Sequence, residues 1–394
     1  LDTVSNNIAN SSTTAYKRQR AVFSEELGQE ILGVGSTAGG TAINPSKVGR
    51  GVSVASVDRN FGQGSLKDTG VKTDLALNGD GFFVASPREG AASDQRRLTR
   101  AGNFTFNQDG ELVTSNGLNV KGWEVGKDGK ANTGALKNIQ FDPNAQSAAK
   151  FTSEAEIGGN LSADVEVKGT SEISSVVYDE QGEAHDVVVE FNKKSNNSWG
   201  YTIKPADSSN SPFKGNKTGN IEFNTDGSIK SVDGNTNDLT ASIDWKGVNV
   251  SGGKSIEVGF GGLTQYSGST TSKFQSQNGN SSGELADYSI TPEGKLQLNF
   301  TNGEQEEIFQ LAIGDVNNPN GLEQQGDNFF TTTGASGDLQ LGRAGRDLQT
   351  SVISGSLESS NVDLAKEFSD LIRAQRSYQA SSQIITTADE VLNQ

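Results

Sequence analysis

The 394-residue chain reads as mainly β with an α-helix at each end. Two observations predict this. Residues 1–30 and 356–394 contain no Pro and little Gly, whereas residues 33–355 hold nearly all of both. Between residues 78 and 321 there are ten Asn-Gly or Asp-Gly pairs, among them Asn78-Gly79, Asp109-Gly110, Asp226-Gly227 and Asn302-Gly303. Both residues of such a pair tolerate positive φ, so the pairs are strong hairpin signals.

The N-terminal element places Leu1, Val4 and Ile8 on one helical face, spaced 3 and 4. Asn6, Asn7 and Asn10 weaken that helix, because Asn competes for backbone hydrogen bonds. Residues 11–70 read as an irregular or β-like connector, with a Gly-rich, mobile stretch at 37–45. Position 1 is not Met and already reads as helix, so the chain is expected to begin inside its natural sequence.

The middle reads as strands. Alternating runs at 71–77, 104–106, 173–178, 187–191, 239–245 and 296–300 flank the turn pairs, and no helical period appears between 70 and 350.

The C-terminal element has the clearest period. Leu364, Phe368, Leu371, Gln375, Tyr378, Ser382, Ile385, Asp389 and Leu392 follow an unbroken 4-3-4-3 spacing. Leu364, Leu371, Tyr378, Ile385 and Leu392 form an apolar stripe, while the row from Phe368 turns polar, so the seam has room for a partner helix. Ser359, Ser360 or Asn361 is the expected N-cap, and Asp363 suits the first turn. A helix over 362–392 would be about 46 Å long at ~1.5 Å per residue.

A helix–β–helix order predicts discontinuous, nested domains. Residues 1–27 and 356–394 form a terminal helical domain whose two helices pair as a coiled coil, and 28–70 is the connector. Residues 71–145 and 283–355 form an inner β domain around an outer β domain at 146–282. Neither half-apolar terminal helix is stable alone, so each is expected to pair with the other and with neighbouring subunits.

Composition narrows the function. Hydrophobic residues make up 32%, too few for one large core but enough for several small ones. Lys plus Arg is 33 and Asp plus Glu is 49, giving a net charge of −16 that disfavours nucleic acid and anionic lipid. No apolar run approaches the ~20 residues of a membrane span. With no Cys, disulfides and thiolate metal sites are excluded.

No catalytic, cofactor-binding or metal residue is nominated. The sole histidine, His185 beside Asp186, reads as a solvent-facing strand position, and without a second His or a Cys most nucleophile–base pairs are missing. Gly33-Val34-Gly35-Ser36-Thr37-Ala38 fits GxGxxA but lacks the flanking strand and helix of a dinucleotide site. Asp233, Asn235 and Asn237 open like a calcium loop, yet Asp238 and Asp244 stand where Gly and Glu belong, so a polar turn is the reading.

Three stretches carry a family resemblance. LDTVSNNIANSSTTAY at 1–16, followed by Lys17, is similar to the N-terminal signature of the flagellar rod and hook family. LALNGDGFFV at 75–84, with RAGNF at 100–104 and Leu112-Val113, resembles its first β segment. GSLESSNVDLAKEFSDLIRAQRSYQASSQIITTADEVLN at 355–393 resembles its C-terminal helix. These motifs cover about a third of the chain. The long middle separates it from the short rod subunits and resembles hook members, as do Gly283-Glu284-Leu285, NPNGLEQQGDNFF at 318–330 and Ala335-Ser336-Gly337.

The resemblance implies a structural subunit, not an enzyme, without cofactors. Exported unfolded by the flagellar type III apparatus, it would polymerise outside the cell into the hook, a curved tube acting as universal joint between rod and filament. Its implied partners are itself as a helical homopolymer, the rod, the hook cap, the hook-length control protein and the hook–filament junction proteins, with no nucleic acid and no membrane insertion. The assembly residues would be Leu1, Val4, Ile8, Leu364, Phe368, Leu371, Tyr378, Ile385 and Leu392. The Cys–Lys cross-link of some hooks cannot form, since there is no Cys. The rival readings are a distal rod subunit, against which length argues, an unrelated β-rich surface or phage-tail protein, against which the terminal signatures argue, and a secreted enzyme.

Overall fold

A computed structural model describes residues 1–26, 29–32, 46–48, 51–87, 89, 95–206, 216–245 and 254–392, with side chains outside the description at 29–32, 46–48 and 391–392. The chain is mainly β, with helix α1 at Asp2–Ala9 and helix α2 at Leu364–Leu392. A 3₁₀ turn lies at Pro319–Gly321. Of the ten predicted turn pairs, eight place their glycine at positive φ; Gly279 and Gly321 do not. The GxGxxA stretch at 33–38 and the Gly-rich stretch at 37–45 lie outside the described residues.

The chain divides into two compact units. The first comprises Leu1–Asp142, Tyr288–Gln297 and Glu307–Gln394. Strand Phe82–Ser86 lies at its centre, with all five residues buried. It pairs antiparallel with strands Arg97–Thr99, Asn119–Glu124 and Ile313–Asp315. Alternate side chains of a strand face opposite sides, and both sides are filled here. Phe83 joins Leu75, Leu77, Phe104, Leu112 and Leu311 in one cluster. Phe82 and Val84 join Leu98, Val316, Leu322 and Phe330 in another. Gly102 passes so close to strand Leu75–Asn78 that a Cβ there would lie 1.7 Å from the Leu75 carbonyl oxygen.

The two ends of the chain are knitted into this unit. Strand Ser351–Ser354 pairs with Leu75–Asn78, and Ser356–Glu358 pairs with Leu66–Asp68. Strand Val52–Arg59, in the connector expected at 28–70, pairs with Gln19–Glu25, a strand inside the 1–27 segment expected to be helical, with a bulge at Val22/Phe23. Helix α2 begins two residues later than predicted, at Leu364. Its N-terminal N–H groups are capped by Asp363 Oδ1, which accepts from Ala365 at 3.0 Å and Lys366 at 3.2 Å. Of the expected caps, Asn361 Nδ2 donates to the Asn60 and Gly62 carbonyls, and Ser360 Oγ accepts from Val362 N–H.

The second unit comprises Pro143–Asp287 and Leu298–Glu306. Strands Thr170–Tyr178, Ala184–Ser195, Ser198–Pro205, Lys217–Phe223 and Ile229–Val232 form an antiparallel meander in sequence order. Strands Thr240–Asp244, Ser255–Thr264, Glu154–Asn160 and Lys273–Gln277 form a second sheet in that order, with one parallel pair at its centre. One apolar cluster takes side chains from both sheets, including Phe191, Trp199, Tyr201, Trp245 and Phe260. Alternation along Ala184–Ser195 supplies Val187, Val189 and Phe191 to it, as a strand with one buried face requires.

Candidate assembly surface where the chain ends meet

The ends of the chain converge on a buried polar junction in the first unit. Helix α1 contacts α2, and the turn after α1 places Ala15 at φ 58 so that its N–H donates to the Glu358 carbonyl at 2.8 Å. Asn7, 1% exposed, has both ends of its amide satisfied. Its Oδ1 accepts from Gln19 N–H at 2.9 Å and from Tyr16 Oη at 3.3 Å. Its Nδ2 donates to the Gln19 carbonyl at 2.8 Å and to Glu367 Oε2 at 3.1 Å. An amide placed this way is part of the architecture, because leaving either end unpaired would carry the full desolvation penalty.

Beside it, Lys17 Nζ donates to Glu358 Oε1 at 2.6 Å and to the Gly62 carbonyl at 3.0 Å. The same carboxylate oxygen accepts from Gly64 N–H at 2.7 Å. Arg100 Nη1 stands 3.6 Å from Glu358 Oε2, a charge contact rather than a hydrogen bond, while its Nη2 donates to the Gly79 carbonyl at 2.8 Å. Burial pulls Lys17 and Arg100 below their ordinary pKa, and the Glu358 charge opposes that pull in both. Burial likewise raises Tyr16. One step along, Arg18 Nε pairs with Glu367 Oε1 at the start of α2, and Arg18 N–H donates to Asn361 Oδ1 at 2.7 Å. Only Gly fits at 64, where a Cβ would lie 2.0 Å from the Ser359 carbonyl oxygen.

Beyond this junction the apolar residues of α2 face outward. Every residue from 375 to 390 is exposed, with Tyr378 at 72%, Ile384 at 70% and Ile385 at 64%. Of the predicted assembly residues, Leu1, Leu364, Phe368, Tyr378 and Ile385 are exposed. Val4, Ile8 and Leu371 are half-buried, and the Leu392 side chain lies outside the described residues. The fold therefore brings α1 to α2 but, among the described residues, leaves the distal stripe uncovered. Sequence reasoning missed the exposed Ile372 and Ile384, which lie off the seven-residue repeat. It also missed the lock residues Asn7, Lys17, Arg100, Glu358 and Glu367, because a pairing between distant segments leaves no periodic trace.

The other candidates resolve as follows. Asp233 accepts from Tyr201 Oη at 2.7 Å and from Asn220 N–H at 2.7 Å, and Asn235 Oδ1 accepts from the Asn237 and Asp238 amides, which makes a polar turn. His185 is not solvent-facing as predicted: its side chain is 14% exposed and packs edge-on against Trp245, with ring centroids 5.1 Å apart.

A β-rich chain whose helical ends are locked to each other, and whose second helix stays bare beyond the lock, defines a structural subunit. Comparison with known proteins specifies which kind. Family models described as flagellar hook protein FlgE/F/G D1 domain, flagellar basal body protein FlaE D2 domain and flagellar basal body rod FlgEFG protein C-terminal match residues 76–152, 144–280 and 353–394. The chain is 32% identical over 409 residues to the flagellar hook protein FlgE of Salmonella typhimurium, covering 100% of this chain and 94% of that one. It is 30% identical over 446 residues to the FlgE of Treponema pallidum, covering 100% and 95%. The solved flagellar hook protein FlgE2 of Helicobacter pylori shares the fold with a TM-score of 0.56 at 15% identity, over 74% of this chain and 100% of that one. The chain belongs to the flagellar hook protein family. The family is structural rather than enzymatic, and the place of this subunit is the flagellar hook.

Proposed function

We propose that this hook subunit polymerises with copies of itself through its terminal helices, α1 and α2 pairing as a coiled coil that neighbouring subunits complete. The observation that carries this reading is the bare apolar run on α2, with Phe368, Ile372, Tyr378, Ile384 and Ile385 all exposed. A helix of 29 residues, about 43 Å long at ~1.5 Å per residue, gains little from such residues in water and much from burying them. In the polymer, Leu1, Val4, Ile8, Leu364, Phe368, Leu371, Tyr378, Ile385 and Leu392 make the inner contacts. Residues 71–145 with 283–355 act as the inner β domain and 146–282 as the outer one. The tube is extracellular and bends as a universal joint. It meets the rod at one end and the junction proteins at the other, with the cap, the length-control protein and the type III export apparatus serving its growth.

The test is electron microscopy of cells whose sole copy is the natural chain or its Tyr378→Asp/Ile385→Asp variant. The natural chain should give short curved tubes. The variant should be exported but give none, because burying two unpaired carboxylates in an apolar seam costs more than the several kcal/mol of burying a neutral polar group. Straight rods from the natural chain would favour a rod role, and normal tubes from the variant would remove α2 as the polymer contact.

A further inference from the structure

The hairpin joining strands Thr170–Tyr178 and Ala184–Ser195 sets three metal-ligating side chains side by side in the second unit. Asp179 is buried, and its Oδ1 accepts the N–H groups of Gln181 and Glu183, both at 2.8 Å. Those bonds orient the carboxylate so that Oδ2 faces His185 Nε2 at 3.6 Å. His185 lies near the start of the second strand and Glu183 in the turn just before it. One ligand atom from each of Asp179, Glu183 and His185 lies within 4.8 Å of the others.

Two features set this group apart from a chance cluster of carboxylates. Its third member is the only histidine in the chain, held edge-on by Trp245 with ring planes at 80°. The Nε2 of that ring is shielded from solvent and, among the described residues, has no hydrogen-bond partner. A buried ring nitrogen left this way needs an explanation. The 3.6 Å gap between Nε2 and Oδ2 is too long for a hydrogen bond. Two ligand atoms each about 2.0–2.2 Å from a shared ion, at a tetrahedral angle, would lie about 3.3–3.6 Å apart.

We infer that Asp179, Glu183 and His185 form a binding site for a divalent transition metal, of which zinc is the best match. One imidazole and two carboxylates suit zinc, whereas calcium and magnesium prefer all-oxygen shells. Water takes the fourth position. The ion ties the strand entering the turn to the strand leaving it, which in a chain without Cys stands where a disulfide otherwise would. The spacing Asp-x₃-Glu-x-His matches none of the common metal motifs, and only the hairpin register brings the three together.

A single histidine makes the test direct. The purified full-length chain, labelled with ¹³C and ¹⁵N, shows one set of imidazole signals by NMR. Zinc chloride is titrated in, with calcium chloride in parallel. The expected result is saturation of the imidazole shift at one equivalent of zinc, with no shift from calcium. Glu183→Gln, an exposed position, should weaken zinc binding by about tenfold or more, since losing a ligand costs at least as much as losing an outer-shell partner. Imidazole signals unmoved by the first equivalent would overturn the inference, since zinc would then be held by scattered surface carboxylates. Unchanged affinity in Glu183→Gln would overturn it equally.

Discussion

Lys17 and Glu358, 341 residues apart in sequence, form a buried ion pair with Nζ and Oε1 2.6 Å apart. Through it the first segment of the chain is fastened to the last. The carboxylate also faces Arg100, so it answers two cations, whereas Lys17 answers one anion. This asymmetry predicts unequal mutants. Glu358→Gln leaves two buried cations facing a neutral amide and should lower local stability by about 3–5 kcal/mol. Lys17→Met keeps the Arg100–Glu358 contact and should cost at least about 1 kcal/mol less. The readout is hydrogen exchange of the Ala15 amide, which donates to the Glu358 carbonyl. Equal effects, or a worse Lys17→Met, would show that the carboxylate is not the hub.

Tyr201 gives the second unit a defined response to alkali. Burial first, then the hydrogen bond to Asp233, raises its pKa above the ordinary value near 10. The folded unit therefore holds this proton more tightly than the unfolded chain does. The resulting stability is complete below pH ~10 and is lost above it, by at most ~1.4 kcal/mol per pH unit. Urea unfolding followed by tryptophan fluorescence between about pH 9 and 11.5 should show this loss, and Tyr201→Phe should flatten it. The same slope in both proteins would assign the alkaline loss to other groups.

Much of this architecture was legible in the chain itself. The turn pairs were legible because positive φ is a local property, and eight of the ten glycines adopt it, although Asn78-Gly79 and Asp80-Gly81 link strands Leu75–Asn78 and Phe82–Ser86, which pair elsewhere. Helix α2 was legible because its 3-4 spacing is local too, although Asp363 rather than a preceding Ser or Asn caps it. The Lys17–Glu358 lock was not legible, nor was Asn7 between Gln19 and Glu367. Each depends on long-range pairing of the kind that joins Ser356–Glu358 to Leu66–Asp68, and no window of sequence contains both partners. His185 was misread as exposed because its cover, Trp245, comes 60 positions onward, directly after strand Thr240–Asp244 of the other sheet.

The second unit is expected to shape the polymer rather than to form it. Its apolar cluster is made from its own two sheets, so replacing residues 146–282 with a short Gly-Ser linker should leave the terminal junction intact. As the sole copy in cells, the shortened chain should give tubes that are straight, with poor motility. Curved and motile hooks would place curvature in the remaining residues, and exported chains that form no tube would make 146–282 the driver of assembly.

In the proposed polymer, α2 is bare in the single subunit and covered by neighbouring copies. Amide hydrogen exchange across Leu364–Leu392, measured on verified monomer and on purified hook, tests it most directly. A lone helix with its apolar stripe in water opens readily, whereas a buried one does not. Exchange in the monomer should be complete within seconds beyond the first turns and should slow by on the order of a hundredfold or more in the hook, equivalent to roughly 3 kcal/mol of added protection. Strong protection across the same residues in the monomer, or none gained on assembly, would contradict it.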